Sequence, residues 1–284
     1  MDEVTGGRKG NTVIRQPAVA GQFYPAEASE IGAALDALIL STVPKRKAIA
    51  VVCPHAGWMY SGHTAGLVYS SVKVPDCVIL VGPNHRNAGS HYAVYSSGAW
   101  HTPVGNVPVA EPLALELLDH CELLAEDTKA HAQEHSLEVQ IPMLLRANPN
   151  VHIVPLLIGG GWPEGGGRRE LKEIGGAVAQ CVRECGKPVL LVASTDLDHY
   201  EDQEVSHIKD KLVLDAIVKL DPDALMDRVI DVGVSMCGVA ATYIVLWSAR
   251  GLGAKHAELL EYRTSGDVSG DFTRVVGYGG VVIE

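Results

Sequence analysis

Residues 48–62 read AIAVVCPHAGWMYSG. Six small or apolar residues run to Cys53, Pro54 stops them, and His55 follows in front of Ala56 and Gly57. A short, nearly continuous apolar run bounded by a turn signal reads as a strand buried on both faces. The segment after it, GHTAGLVYSSV (62–72), carries helical periodicity. The same alternation recurs along the chain. Strands are predicted at 48–53, 77–82 (CVILVG), 151–158 (VHIVPLLI) and 189–193 (VLLVA). Helices are predicted at 29–40 with Ser29 as the cap, at 62–72 with His63 in the first turn, and at 111–121 with Pro112 in the first turn. Others are expected at 135–148 with a kink or break at Pro142, at 168–185 ending at Gly186, and at 206–220, 222–230 and 237–251. Two final strands fall in AELLEYRT and RVVGYGGVVIE. Strands alternating with helices predict an α/β fold, one domain with a largely parallel central sheet flanked by helices. The domain is expected over 15–284, behind a flexible polar tail at 1–14.

The bulk numbers agree with a globular protein and exclude several function classes. The 284 residues are 47% hydrophobic and 20% charged, with a net charge of −11. An acidic chain lacks the basic face that nucleic acid or an anionic membrane surface requires. The N-terminus has no apolar signal core, and no apolar run has the length of a membrane span. The apolar stretch AATYIVLW (240–247) reads as a buried helix. The six cysteines form no CxxC pair, which predicts free thiols in the cytoplasm. The Gly-rich segment GGGWPEGGG (159–167) has neither the GxGxxG nor the GxxxxGK[ST] order and is read as a loop without a cofactor role.

In open α/β sheets ligands bind beyond the carboxyl ends of the strands. His55 follows the first strand, His85 in VGPNHRN follows the second, and Asp196 and His199 in ASTDLDHY follow the strand at 189–193. One such histidine is ordinarily a loop hydrogen bonder, the reading given to His91, His101, His120, His152, His207 and His256. Three strand ends delivering polar groups to one edge point instead to a site. Cys237 stands at the start of a strongly apolar helix, where the helix dipole is expected to favour its thiolate. Cys53, Cys77 and Cys121 are read as packing residues, and Cys181 with Cys185 likewise. His135 and Glu138 lie three residues apart on one helix face.

Two imidazoles with one anionic ligand make a three-coordinate centre with open positions. A carboxylate as third ligand suits non-haem Fe(II), whereas Cys237 gives a His₂Cys set that suits Fe(II), Zn²⁺ or copper. Asp196 and His199 then serve in acid/base or supporting roles. A dinuclear phosphoesterase lacks its DxH…GD partner motif here. A Cys237 hydrolase with His199 or His135 as base leaves His55 and His85 without a task.

Six segments, RQPAVAGQFYP (15–25), PHAGWMYSG (54–62), VGPNHR (81–86), EHSLEVQIP (134–142), STDLDHY (194–200) and MCG (236–238), resemble in this order the motif series of the Memo family. The resemblance spans nearly the whole chain from residue 15. It implies a fold similar to the class III, LigB-type extradiol dioxygenases, in which two His and one Glu hold Fe(II) and a further His works as acid/base. Carried over by position, it implies metal ligands His55, His85 and Cys237, the last in place of the carboxylate. It further implies catalytic roles for His199 and Asp196 and a pocket lined by Phe23 and His135. The implied cofactor is one mononuclear metal ion, Fe(II) or copper, with Zn as a further option. The implied partners are a small molecule or a peptide and, in prokaryotic relatives, radical-SAM and AMMECR-type proteins. The short GQFYP version resembles the prokaryotic branch. The implied activity is redox chemistry; the alternative is a binding module that keeps the pocket without catalysis.

Overall fold

The computed structural model describes residues 13–160 and 167–284. Its strands in chain order are β1 (Ile14–Arg15), β2 (Ala50–Cys53), β3 (Cys77–Pro83), β4 (Tyr92–Val94), β5 (Ala99–Thr102), β6 (Gly105–Pro108), β7 (Ala125–Glu126), β8 (His152–Ile158), β9 (Val189–Ser194), β10 (His199–Glu201), β11 (Ala257–Thr264) and β12 (Val275–Ile283). The main sheet runs β10-β12-β2-β9-β3-β8-β4-β7, with β11 also paired to β12. The four apolar runs picked out in the sequence are its four central strands, β2, β9, β3 and β8, and all their mutual pairings are parallel. They are fully buried along most of their length, which is why they lack polar alternation. The parallel character stops at the flanks. Both β12 beside β2 and β4 beside β8 run antiparallel, so the sheet as a whole is mixed.

Helices cover both faces. The helix Val239–Gly251 is buried on almost every side. It packs against β3 and β9 and against the helix Gly167–Glu184. That double burial explains why AATYIVLW is apolar all round rather than along one stripe. No helix among the described residues is long and apolar enough to cross a membrane.

Several boundaries differ from the sequence expectation. The first helix spans Ala28–Leu38 with Glu27 at its cap, so Ser29 lies inside the first turn rather than capping it. The second spans Trp58–Ser71 with Gly57 at its cap, which puts His63 in the second turn. It starts early because the Trp58 amide is taken by the Phe23 carbonyl at 2.7 Å. Pro142 marks a break: a 3-10 turn at Glu138–Gln140 precedes a separate helix, Ile141–Ala147. The expected tail at 1–14 falls mostly outside the described residues. Its last two residues are held, because the Val13 carbonyl accepts from the Ala99 amide and Ile14 pairs in β1 with β5. The loop predicted at 159–167 lies outside the described residues over 161–166.

A second, three-stranded sheet, β1-β5-β6, anchors the N-terminal segment. Arg15 is its pin. The guanidinium donates to Glu138 Oε2 at 2.8 Å, to the His131 carbonyl at 2.8 Å and to the Glu134 carbonyl at 2.7 Å. It also lies 4.2 Å over the Trp100 ring. Glu138 in turn accepts from the Ala18 and Val19 amides and from the Tyr24 hydroxyl. Glu138 is thus a buried staple for the segment that carries Phe23, not a member of the site, although it follows His135 by three residues.

Candidate functional site

The carboxyl ends of β2, β9 and β3 lie side by side, with Cys53 opposite Ser194 and Val81 opposite Ala193. This brings His55, Asp196 and His85 to one edge. Asp196 ties two of these ends together: its Oδ1 accepts from the His55 and Ala56 amides at 2.8 and 3.2 Å. Its Oδ2 lies 4.0 Å from His55 Nε2. Burial raises the Asp196 carboxyl above its ordinary value, against the pull of those two amides.

The hydrogen-bond network determines which ring nitrogens carry protons. The Ser194 hydroxyl donates to the Ser136 carbonyl at 2.6 Å, which uses its only proton. Ser194 Oγ also lies 3.0 Å from His55 Nδ1 and can therefore only accept there. His55 thus carries its proton on Nδ1 and presents a bare Nε2. Gln140, held by Tyr69, donates to the same Oγ and to the Pro54 carbonyl and fixes this arrangement. His85 Nδ1 lies 2.9 Å from Glu134 Oε1. Glu134 is buried, which would raise its pKa, but the His85 hydrogen bond, the neighbouring His85 and His135 and the Ser136 amide hold it down to about 2. As a carboxylate it only accepts, so His85 too carries a proton on Nδ1 and turns its Nε2 to the cluster. Burial holds His55 well below the ordinary imidazole range, helped by the nearby His85, His135 and His199. His55 is therefore neutral at pH 7, the state a metal ligand requires.

His135 extends the cluster. Its ring stacks on His85 with centroids 4.5 Å apart and meets Phe23 at 4.5 Å. Its Nδ1 lies 3.2 Å from the same Glu134 oxygen, and burial lowers its pKa to about 4. Phe23 and His135 are thus in contact with each other, and His135 joins the histidine cluster.

Cys237 approaches from the other side. Its Sγ is 3.3 Å from His55 Nε2 and accepts from the Asp196 amide at 3.3 Å. The residue stands just ahead of its helix, which begins at Val239 with Gly238 at the cap. Gly238 allows the close approach: a Cβ there would lie 2.6 Å from the Ser194 carbonyl oxygen and 2.5 Å from Thr195 Cβ. The expected helix-dipole effect on the thiol is overturned. Burial, joined by the negative Asp196, raises the Cys237 pKa and keeps it a neutral thiol. That removes the basis for a metal-free Cys237 nucleophile.

His199 is held by its backbone. Its amide donates to Ser235 Oγ at 2.7 Å, and Ser235 is fixed by Asp198 Oδ1. The His199 Nδ1 atom is buried without a hydrogen-bond partner. Two groups at the site have donor atoms within 4.8 Å of one another: His55 with His85 and His135, and His55 with Asp196 and Cys237. His55 is common to both, while His85 and Cys237 fall in different groups. The donor set fits a metal ion: imidazoles whose Nδ1 sides are engaged elsewhere, a soft sulfur, and the Glu134 carboxylate beside the His85 and His135 rings. Sequence reasoning assigned no role to Glu134, Ser194 or Gln140. Glu134 and Gln140 lay in the quoted motif EHSLEVQIP and Ser194 in STDLDHY, but only the hydrogen-bond geometry reveals their task.

A family model described as Memo-like protein matches residues 15–282. A MEMO1 family protein of Methanopyrus kandleri is 36% identical over 285 residues, covering 94% of this chain and 98% of the relative. One from Pyrobaculum arsenaticum is 37% identical and covers 95% and 98%. One from Aquifex aeolicus is 36% identical and covers 95% and 98%. Among solved structures, an uncharacterized protein from Escherichia coli K12 superposes with a TM-score of 0.55 at 16% identity, covering 82% of this chain and 98% of that one. That likeness concerns the fold alone.

Proposed function

The chain belongs to the Memo family, and on that premise we propose that it binds a single iron(II) or copper ion through His55, His85 and Cys237 and supports redox chemistry on a small molecule. The observation that carries this reading is the pair of Nε2 atoms left free for the cluster. Ser194 and Glu134 each engage the Nδ1 side of a buried or half-buried histidine, and the nitrogens left over belong to the cluster. Structures that only need a histidine for packing have no reason to fix its tautomer twice. Cys237 supports the choice of a softer, redox-active ion, since its sulfur already lies 3.3 Å from His55 Nε2. His135 is the competing third ligand, because it shares a donor group with His55 and His85.

A bound iron or copper ion would supply one-electron chemistry and a Lewis-acidic open position. The protein's own groups do the rest. Asp196, with its raised pKa, and His199, with its unpartnered Nδ1, are the groups able to take up or release a proton. Phe23 and His135 form an aromatic wall at one side. The six unpaired cysteines support a cytoplasmic setting.

Metal analysis of anaerobically purified protein tests the reading. About one equivalent of iron or copper is expected, lost in the His55→Ala, His85→Ala double variant. Unchanged metal content in that variant refutes it. Loss of metal in Cys237→Ser but not in His135→Ala assigns the third ligand to sulfur. A second reading, a binding module without catalysis, is favoured by a sulfur standing where related dioxygenases have a carboxylate. Oxygen consumption that depends on His199 eliminates it.

A further inference from the structure

The other edge of the sheet carries a pattern of a different kind. The adjacent parallel strands β2, β9 and β3 are each entered from a loop with a lysine: Lys47 ahead of Ala50, Lys187 ahead of Val189 and Lys73 ahead of Cys77. The three lysines therefore gather at the amino ends of the strands whose carboxyl ends carry His55, Asp196 and His85. A cavity of about 440 Å³ opens there. All three lysines line it, and no Asp or Glu does. Its floor is apolar: Ile49, Val182 and Leu252 pack against the core but stay partly exposed. Among the described residues none of the three lysines forms an ion pair. Glu284 follows β12 at this edge, but it faces Arg46 at 3.3 Å. In a chain of net charge −11 this depression is a local reversal of sign. Lysine stems cover apolar surface while their heads stay in water. Three of them at one depression also bring together three like charges, whose repulsion an anion would relieve.

We propose that this cavity binds a small amphiphilic anion, a carboxylate or phosphate whose oxygens meet Lys47, Lys73 and Lys187 and whose apolar body lies on Ile49, Val182 and Leu252. The site is separate from the histidine cluster and does not rest on the metal reading. Four considerations select the class. A cation would add to charge already present. An inorganic anion would leave the apolar floor in water, whereas covering that floor contributes to binding. A neutral apolar ligand would strip water from the lysines and offer them nothing in return. A membrane or nucleic acid would bring an extended negative surface against the acidic remainder of the chain. The volume is in the range of small-molecule sites.

Titration of the whole protein with octanoate and with octyl phosphate, followed by amide proton–nitrogen NMR, tests this. Shifts are expected around Lys47, Lys73, Lys187 and Leu252, and not at His55, His85 or Cys237. Octanoate should bind at least about tenfold more tightly than acetate, which has the head without the body. Octylammonium, with the same body and the opposite charge, should not bind there. Either anionic head supports the site, and the tighter of the two identifies which it prefers. The three lysines are exposed, so K47Q, K73Q and K187Q combined should leave thermal unfolding and metal content unchanged while weakening octanoate about tenfold or more. Added salt should weaken octanoate as well, because exposed charges are screened. Acetate or octylammonium that binds as well as octanoate, octanoate binding insensitive to the triple substitution, or shifts confined to the histidine cluster overturns the inference. Lysine-dependent binding of phosphatidylglycerol vesicles without saturable binding of octanoate overturns it too, by assigning the lysines to a membrane surface.

Discussion

Replacing Glu134 by Gln isolates what the buried carboxylate does. Its Oε1 faces the His135 and Ser136 amides at 2.9 Å each and His85 Nδ1 at 2.9 Å, and its Oε2 accepts from the His85 amide at 2.6 Å. Every neighbour is a donor. Glutamine offers a single acceptor oxygen, so its NH₂ must face at least one N–H. The charge contribution follows from the folded pKa of about 2 against an ordinary 4.5, a difference worth about 3 kcal/mol at pH 7. The folded value is depressed, so this stabilisation is fully present above pH 4.5 and is lost as pH falls towards 2. The gap between native protein and E134Q in urea unfolding of chelator-treated protein should therefore be about 3 kcal/mol at pH 7 and about 1 kcal/mol at pH 3. The same substitution frees His85 Nδ1 from a pure acceptor and permits the opposite tautomer. Metal affinity should then fall about 10- to 100-fold. A variant within about 0.5 kcal/mol of the native protein at pH 7, or one with unchanged metal affinity, would show that Glu134 neither stabilises the loop nor orients the histidine.

Three further outcomes follow from other parts of the molecule. Asp210 is buried, which raises its pKa to about 7 against the Tyr262 and Asp198 hydrogen bonds; the protein should lose up to about 4 kcal/mol as pH rises from 4 through 7, and Asp210→Asn should flatten that slope in thermal melts across this range. Arg15→Met should cost about 3–5 kcal/mol in denaturant unfolding by stranding Glu138, and adding Glu138→Gln should restore part of it; a loss below about 1 kcal/mol would mean that the staple is idle. Gly238→Ala must move the backbone that carries Cys237 away from Ser194; it should cost about 1–3 kcal/mol, and a crystal structure should show the Cys237–His55 contact lengthened beyond 3.3 Å.

Much of the fold was legible because its central strands are buried on both faces. Such strands must be continuously apolar, so β2, β3, β8 and β9 stood out as runs. The peripheral strands β4, β5, β6, β7 and β10 are two to four residues long, too short to carry a period. Helix starts shifted where a tertiary hydrogen bond decided them, as the Phe23 carbonyl does for Trp58. The site was legible in part for the same reason as the strands. A polar residue just beyond a buried strand is conspicuous, and His55, His85 and Asp196 were found that way. Cys237 sits on a helix start, not a strand end, and its expected thiolate character failed because local sequence reports the dipole but not the burial that outweighs it.

By itself the sequence determined which segments must be buried, which side chains stand at strand ends, and that the chain carries the Memo motif series. Those properties are local, since hydrophobic period, turn residues and spacing are written along the chain. Only the tertiary structure decided that β9 lies between β2 and β3, and hence that His55, Asp196 and His85 share one edge. It also decided the tautomers of His55 and His85, because a ring proton is placed by partners 139 and 49 residues away, Ser194 and Glu134.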